Sequence, residues 1–399
     1  MRLDRLGDVH LTYCTNIHAG ESWRDICSSL DAHVPAIKRR VSPDRPMGVG
    51  LRLSGEAAAS ARDPDNLRAF HDQLQRLGAY VFTINAFPYG PFHGVRVKEQ
   101  VYLPDWRSSA RVAFTSDAAA ILATILPEGQ EGSISTVPGS FKANAGEPGA
   151  QAAMTQNLLR AVAELVQIER ECGKTIAFAL EPEPCCFLET VDETIGYFES
   201  ALLSRDALGA LAAMTNVSAA SAERQLRRHL GVCYDACHGS VEFEQPVEAM
   251  TRLRAAGLNV AKLQMSVAMR IPQMRADLAR ELEPYNEGVY LHQTVVQHEG
   301  KLRRYVDLPD ALAAFRRGEA QGEWRIHCHV PLFLSNMGAI GSTQGDLLDV
   351  LRAMRDTPLS RHLEVETYTW DVLPIALRTG SKSADIAREM SFCLQELTP

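Results

Sequence analysis

Residues 175–184 read TIAFALEPEP, an apolar strand-forming run that ends on two glutamates, Glu181 and Glu183, each followed by a proline. Further runs rich in Val, Ile, Thr, Phe and Tyr occur along the chain, each bounded by Gly, Pro, Asp or Ser. The nine predicted strands are residues 10–17, 48–54, 80–87, 132–137, 175–181, 231–235, 259–266, 324–330 and 362–369.

Amphipathic helical patterns separate these strands, for example in residues 67–77, 153–172 and 347–354, where apolar residues recur every three or four positions. Strands that alternate with helices indicate parallel strands joined by right-handed crossovers. No glycine-rich dinucleotide or phosphate-binding motif follows the first strand, which disfavours an open nucleotide-binding sheet. We therefore predict an α/β fold of the (β/α)₈ TIM-barrel type, so that one of the nine predicted strands must lie outside the barrel.

The length of 399 residues suits a single TIM-barrel domain over residues 1–399, because such barrels have about 250 residues plus insertions. Residues 288–309 have the pattern of a β-hairpin that turns at residues 298–300, and a helical pattern follows it. We expect residues 285–322 to be an insertion, a hairpin plus a helix, near the mouth of the barrel.

Composition and charge limit the partners of the chain. The net charge of −8, without a long basic block, argues against nucleic acid, whose phosphates require clustered Lys and Arg. The first residues lack the apolar core of a signal peptide, and the longest apolar stretch, residues 118–126, is too short for membrane insertion. Nine cysteines are an odd number, as expected of reduced thiols. We expect a cytoplasmic protein with a small-molecule partner; an oligomer is compatible with these features.

Metal-capable side chains stand at the ends of the later strands, where the active site of a TIM barrel lies. Glu181 closes the fifth strand, and Asp235 closes the sixth, with His238 three residues later. Carboxylate oxygens and imidazole nitrogens suit divalent metals. The alternative for Glu181 is a solvated strand end, and for Asp235 it is a cap on the next helix.

The last two barrel strands add further candidates. Gln264 in the seventh strand could be a weak metal ligand, a substrate contact or a polar core residue. Glu364 and Glu366 share one face of the last strand, and two buried carboxylates on one face need a cation or strong donors. Glu366, nearer the C-terminal end, is the better metal ligand, whereas Glu364 could pair with a cation deeper in the barrel.

His327 and His329 lie two residues apart on a predicted strand and therefore on one face of it. They are either metal ligands, catalytic acid–base groups or ordinary core histidines. Together with Glu366 they are our candidates for the catalytic residues. A proline-stiffened aromatic loop after the third strand suits one wall of a ligand pocket, or an oligomer contact. The predicted substrate-binding residues are His18, Asn85, Phe87, Tyr89, His93 and Trp370.

The order of these motifs, Glu-Pro on the fifth strand, Asp-x-x-His on the sixth, polar residues on the seventh and Glu on the eighth, resembles the xylose-isomerase-like barrel superfamily. That superfamily includes sugar isomerases, sugar epimerases and nucleases of the endonuclease IV type. Longer segments resemble the metabolite-traffic protein EboE family, in particular HLTYCTNIHAGESW at residues 10–23, the run TINAFPYGPFHGVRVKEQVYLPDW at residues 83–106, and HLEVETYTWDVLP at residues 362–374.

The resemblance implies a divalent metal (Mn, Co, Fe, Mg or Zn) held by Glu181, Asp235 and Glu366, with His238 beside it. A histidine is usual on the seventh strand where Gln264 stands, unless residues 324–330 supply its equivalent. We therefore expect a metal-dependent isomerase or epimerase that acts on a small hydroxylated or carbonyl-bearing metabolite, in a pathway that handles or exports secondary metabolites. The alternative is a non-catalytic metabolite carrier, and a phosphodiesterase of the endonuclease IV type is less favoured because the chain lacks a basic groove.

Overall fold

A computed structural model describes residues 1–286, 288–374, 377–378 and 380–398. Among these residues, eight parallel strands form a nearly closed barrel in the order β1-β14-β7-β6-β5-β4-β3-β2. Its strands are β1 His10–Tyr13, β2 Met47–Arg52, β3 Ala79–Asn85, β4 Gly132–Thr136, β5 Ile176–Leu180, β6 Leu230–Asp235, β7 Val260–Met265 and β14 His362–Val365. A parallel bridge between Cys14 and Gly50 joins the two edges. The predicted TIM barrel is confirmed.

Helices surround the barrel and connect its strands. They are α1 Trp23–Val41, α2 Gly55–Ala61, α3 Pro64–Leu77, α4 Ser109–Ile125, α5 Lys142–Ala145, α6 Ala150–Cys172, α7 Val191–Tyr197, α8 Arg205–Thr215, α9 Ala219–His229, α10 Ala236–Val241, α11 Pro246–Ala255, α12 Ala276–Glu281, α13 Leu308–Arg316, α14 Gln344–Asp356 and α15 Lys382–Leu397. Polar caps fix several starts: Ser22 and Asp25 form a capping box on α1. Within the described residues, no helix has the length and apolarity that crossing a bilayer requires.

A second sheet lies between β7 and β14 in the sequence, and its described strands pair antiparallel in the order β10-β9-β11-β8-β13-β12. They are β8 Met269–Ile271, β9 Thr294–His298, β10 Lys301–Tyr305, β11 Glu323–Ile326, β12 Asn336–Met337 and β13 Ile340–Ser342. The predicted strand at 324–330 is β11, so it belongs to this sheet and not to the barrel. The hairpin β9–β10 and helix α13 fall where the sequence placed a hairpin and a helix, but the sheet extends beyond residues 285–322 on both sides. The added strands have only two or three residues, too few for a periodic pattern.

A buried ion pair occupies the interior of the barrel below its mouth. Lys262 Nζ lies 2.6 Å from Glu364 Oε1, and both side chains are fully buried. Glycine at position 50 on β2 makes room for this carboxylate, because a methyl group there would lie 1.6 Å from Glu364 Oε2. Glu364 is thus paired with a lysine inside the barrel, whereas Glu366, two residues further on, reaches the mouth.

Candidate metal centre and pocket

Three carboxylates converge at the mouth of the barrel. Glu181 follows β5, Asp235 ends β6 and Glu366 follows β14, and because parallel barrel strands end on the same side, their side chains meet. One oxygen of each lies within 4.8 Å of the others, and all three residues are buried. Among the described residues, Glu181 Oε2 and Asp235 Oδ2 have no hydrogen-bond partner. Buried anionic oxygens without donors are costly unless a cation or a proton joins them, so this donor set fits a divalent metal.

The two oxygens of Asp235 have different surroundings. Oδ1 accepts the backbone N–H of His238 at 3.1 Å and thereby caps helix α10. The same oxygen accepts the hydroxyl of Ser266 at 2.6 Å. Oδ2 lies 3.9 Å from the Nε2 atoms of both His238 and His329. The helix cap and the metal ligand, which were alternatives in the sequence, are therefore compatible in one carboxylate.

The imidazoles of three histidines, His238, His327 and His329, form a second cluster beside the carboxylates. His327 and His329 follow β11 of the second sheet, and His238 lies on α10. The Nε2 atom of His327 is 3.2 Å from that of His238 and 3.3 Å from that of His329. The Nδ1 atoms of His238 and His329 lie 2.9 Å and 2.7 Å from the carbonyl oxygens of Pro182 and Glu366. Carbonyls only accept, so these Nδ1 atoms donate and the Nε2 lone pairs point inward.

A hydrogen-bond chain orients His327 in the same way. Its Nδ1 lies 2.8 Å from Gln293 Oε1, whose amide nitrogen donates to Glu183 Oε1 at 3.0 Å. Tyr102 donates to the same glutamate oxygen at 2.7 Å. The Nε2 atom of His327 thus lies from each of the other two Nε2 atoms at about the 3.3–3.4 Å that separates tetrahedral ligands when metal–nitrogen bonds are about 2.0–2.1 Å. The histidines therefore also fit a metal ion.

The electrostatic state of the site agrees with an expected cation. Burial, and then the neighbouring carboxylates, raise the pKa values of Glu181 and Glu366 well above their ordinary range. Burial opposes ionisation of Asp235, but His238 and His329 outweigh it and lower the pKa of this carboxyl. Burial lowers the pKa of His329 to about 4 and that of His327 well below its ordinary value. Both imidazoles are thus neutral near pH 7, as metal ligands must be.

Gln264 stands on β7, where its Cα pairs with Asp235 on one side and Glu364 on the other. Among the described residues, neither its amide oxygen nor its amide nitrogen has a hydrogen-bond partner, although the side chain is fully buried. The amide is thus an uncommitted polar group on the strand next to Asp235. Residues Gln293 and Tyr102 were not found from the sequence. Gln293 is a buried polar residue directly before the apolar start of β9, which is a signal, whereas Tyr102 on a short helical turn offers none.

A pocket that is partly open to solvent adjoins both the carboxylates and the histidines, and its empty space, with the open solvent included, is about 550 Å³. Of the predicted substrate-binding residues, Asn85 and Phe87 line it, and Asn85 donates to Glu366 Oε1 at 3.1 Å. Its lining residues are Asn16, Asn85, Phe87, Pro88, Phe92, Val97, Lys98, Val101, Tyr102, Glu181, Glu183, His238, Tyr290, Leu291, His327, His329, Glu366 and Tyr368.

The other predicted substrate-binding residues do not line this pocket, because each is engaged elsewhere. The Nε2 atom of His18 lies 3.1 Å from the Tyr13 hydroxyl, and its ring stacks on that of His33. Tyr89 is turned outward, with its ring against Phe114. The Trp370 indole donates to Glu389 on α15 at 3.2 Å. The Nδ1 atom of His93 lies 3.2 Å from the Tyr290 hydroxyl.

No family model matches the chain, and a search of curated proteins gave no match. Among solved structures the chain is similar to a xylose isomerase-like TIM barrel protein from Mycobacterium smegmatis in complex with magnesium, with 9% identity over 98% of each chain and a TM-score of 0.52. It is also similar to the probable 3-DHS dehydratase AsbF from Bacillus anthracis, with 13% identity over 96% of this chain and 97% of that chain and a TM-score of 0.46. The similarity to the first of these two structures supports the TIM-barrel fold, whereas the resemblance to the EboE family is not confirmed.

Proposed function

We propose that the protein is a metal-dependent isomerase or epimerase that acts on a small hydroxylated or carbonyl-bearing metabolite. The observation that carries this proposal is the buried group Glu181, Asp235 and Glu366, whose oxygens lie within 4.8 Å of one another beside the pocket. Titratable groups with strongly shifted pKa values that line a concave pocket are typical of a catalytic site.

The residues that would hold the metal are Glu181, Asp235 and Glu366, with His329 Nε2 at 3.9 Å from Asp235 Oδ2. This mixture of oxygen and nitrogen donors suits Mn²⁺, Fe²⁺, Co²⁺ or Zn²⁺ better than Mg²⁺. A divalent ion bound there would polarise a substrate carbonyl or hydroxyl and so acidify an adjacent C–H or O–H bond.

Glu366 is the best placed of the candidate proton carriers. Asn16 and Asn85 donate to its Oε1 at 2.7 Å and 3.1 Å, which fixes the orientation of the carboxyl group. Burial raises the pKa of this carboxyl, which makes it a stronger base than an ordinary carboxylate, whereas the lowered pKa values of His327 and His329 make them weak bases. These histidines would then position or ligate, and Glu366 would move the proton.

A role in handling or exporting secondary metabolites follows from the resemblance of the longer segments, and a carrier that binds without turnover is the competing function. The two differ in chemistry. An isomerase or epimerase must break a C–H bond next to an oxygen-bearing carbon, whereas a carrier leaves the bound compound unchanged.

Deuterium uptake tests the proposal. The Mn²⁺- or Co²⁺-loaded protein is incubated in D₂O with a panel of ketoses and hydroxyketones, and deuterium incorporation is followed by NMR and mass spectrometry. We expect incorporation at the carbon beside the carbonyl, and its loss in Glu366→Gln. The control is Glu131→Gln, a half-exposed glutamate at the opposite end of the barrel. Binding of a panel compound by the metal-loaded protein without any exchange would favour the carrier instead.

A further inference from the structure

The pocket wall above the metal-capable groups is aromatic. The rings of Phe92, Tyr290 and Tyr368 meet edge to face or tilted, with centroids 5.1–5.3 Å apart. The Tyr368 ring in turn lies 4.8 Å from the imidazole of His329. A ligand whose oxygens reach the carboxylates and histidines therefore has its other end against these rings.

A second wall of the pocket is also apolar. Phe87 and Tyr102 pack with ring centroids 5.9 Å apart, and Pro88 lines the pocket beside them. The Tyr102 hydroxyl is directed to Glu183 and so leaves only the ring for a ligand. Two groups of aromatic lining residues suit a flat or compact apolar group, since ring–ring contacts add to simple burial.

Most polar side chains of the lining already have partners. The amide nitrogens of Asn16 and Asn85 both donate to Glu366, and Asn85 Oδ1 accepts the backbone N–H of Phe87 at 3.1 Å. A free sugar carries a hydroxyl on nearly every carbon, and each buried hydroxyl without a partner weakens binding. Beyond its metal-capable end the lining keeps few uncommitted side-chain atoms, of which the buried Asn16 Oδ1 is one, and these are too few to satisfy a row of hydroxyls along the pocket.

The charge of the lining disfavours an anionic substrate. Lys98 is the one lysine or arginine among the described lining residues, and its Nζ donates to Asp307 Oδ2 at 2.6 Å and to the Tyr290 carbonyl at 2.7 Å. Because it is neutralised in this way, a phosphate or carboxylate in the pocket would meet no free cation outside the metal-capable end. The lining instead contributes Glu181, Glu183 and Glu366.

We propose that the substrate is an uncharged hydroxycarbonyl compound that carries an aromatic or alicyclic group, with its vicinal oxygens toward Glu181 and Glu366 and its ring against the aromatic lining residues Phe87, Phe92 and Tyr368. The placement of the oxygens rests on the proposed function. The apolar group is inferred from the aromatic lining residues, and the absence of charge is inferred from the pairing of Lys98 with Asp307.

Three α-hydroxyketones with the same head group test the substrate class: hydroxyacetone, 2-hydroxyacetophenone and dihydroxyacetone phosphate. Their dissociation constants are measured by calorimetry with the Mn²⁺-loaded protein. We expect the phenyl compound to bind at least about tenfold more tightly than hydroxyacetone, because a ring buried against the aromatic lining residues removes apolar surface from water. The phosphate should bind most weakly. Equal or tighter binding of the phosphate, or binding of none of the three, would overturn the proposal.

Variants assign the effect to the wall. Phe92→Ala should weaken binding of the phenyl compound by about tenfold and leave the affinity for hydroxyacetone unchanged. Tyr89→Ala is the matched control, since this ring lies on the same loop but packs against Phe114 outside the pocket. An equal loss for both ligands in Phe92→Ala would contradict the wall contact. The order of the three dissociation constants in the wild-type protein tests the substrate class even without the variants. This test is also separate from the deuterium experiment. If deuterium is incorporated but the phosphate binds more tightly than the phenyl compound, the substrate class is refuted and the isomerase proposal remains.

Discussion

Asp235 caps the helix that carries His238: its Oδ1 accepts the backbone N–H of His238 at 3.1 Å, while its Oδ2 lies 3.9 Å from the Nε2 of the same residue. One carboxylate thus supports the local fold with one oxygen and faces the candidate metal centre with the other. Glu181 differs, since its Oε2 has no hydrogen-bond partner among the described residues. The two acids should therefore respond differently when they are substituted.

Glu181→Gln and Asp235→Asn should both weaken Mn²⁺ binding, by at least about 100-fold, because each replaces an anionic ligand by a neutral one. Without metal the two positions differ. Glu181→Gln should leave stability unchanged or raise it, as crowded carboxylates repel. Asp235→Asn retains a capping oxygen, whereas Asp235→Ala removes the cap and should cost about 0.5–2 kcal/mol. Thermal and urea melts with EDTA and with Mn²⁺ measure both. If Glu181→Gln is destabilised in EDTA yet gains as much from Mn²⁺ as the wild type, Glu181 is structural and this site is misassigned.

Gln293 should act as a positioning residue for His327. Its amide oxygen lies 2.8 Å from His327 Nδ1, so Gln293→Leu removes the acceptor that keeps Nε2 directed at the other imidazoles. Loss of such a partner typically lowers metal affinity about 10–100-fold. Titration with Co²⁺, followed by its visible absorption, measures the affinity and reports nitrogen ligation. Gln297→Leu on β9, the strand that follows Gln293, is the matched control, because its side chain is half-buried. Unchanged affinity in Gln293→Leu would show that the bond does not orient a ligand.

The barrel and its carboxylates were predictable because local patterns encode them. The run before Glu181 has strand periodicity, and a polar residue that closes a barrel strand reaches the mouth wherever the rest of the chain goes. The origin of His327 and His329 was not predictable. A short apolar run looks the same in a barrel and in an antiparallel sheet, and only its pairing with β8 and β9 places it.

The substrate wall was predictable only in part, for a related reason. Phe87 lines the pocket, whereas Tyr89 on the same loop packs outward on Phe114. Side-chain direction in a loop has no period, so it is set by tertiary contacts that the local sequence does not contain. Tyr290 and Leu291 complete the wall from the insertion, more than 180 residues away from that loop in the sequence.

The buried pair Lys262–Glu364 should be worth more as a unit than either charge alone. Glu364→Gln leaves the fully buried ammonium group of Lys262 without its anion, which should cost about 3–5 kcal/mol of unfolding free energy. The double variant Lys262→Met with Glu364→Gln removes both charges and should recover most of the loss. Urea denaturation in EDTA measures the unfolding free energies of the wild type, Glu364→Gln and the double variant. A double variant no more stable than Glu364→Gln alone would show that the pair does not depend on mutual compensation.

Glu389 on α15 should make stability depend on pH. Burial raises the pKa of this carboxyl to about 7 although Thr367, Leu332 and Trp370 donate to it. The folded state then binds the proton more tightly than the unfolded chain, with its ordinary value of 4.5. The contribution is fully present below about pH 4.5 and is lost as the pH rises to about 7 and beyond, a change of up to about 3 kcal/mol.

Urea melts of the wild type and Glu389→Gln between pH 5 and pH 8.5 test this dependence. The stability of the wild type relative to Glu389→Gln should fall as the pH rises, because only the wild type must release a proton from a buried group. Glu396→Gln, two turns further along the same helix, is the control and should keep a constant difference from the wild type. A constant difference for Glu389→Gln as well would mean that the carboxyl is ionised throughout.

Lys98 should fasten the second sheet to the barrel over the pocket. Its Nζ donates to Asp307 Oδ2 at 2.6 Å and to the Tyr290 carbonyl at 2.7 Å, while Asp307 Oδ1 accepts the backbone N–H of His292 at 3.0 Å. Lys98→Met removes the cation and leaves the largely buried Asp307 with backbone donors alone. Breaking such a pair should favour local opening of residues 289–292 without unfolding the barrel.

Hydrogen exchange by mass spectrometry should therefore show faster exchange of residues 289–292 in Lys98→Met, by about tenfold or more, with the barrel strands unchanged. Mn²⁺ affinity should stay near the wild-type value, because Lys98 contacts none of the carboxylates at the mouth. Lys301→Met, an exposed lysine on β10, is the matched control for a lost charge. If Lys98→Met protects these residues as well as the wild type does, the aromatic contacts of Tyr290 with Phe92 and Tyr368, and not the ion pair, hold the insertion over the pocket.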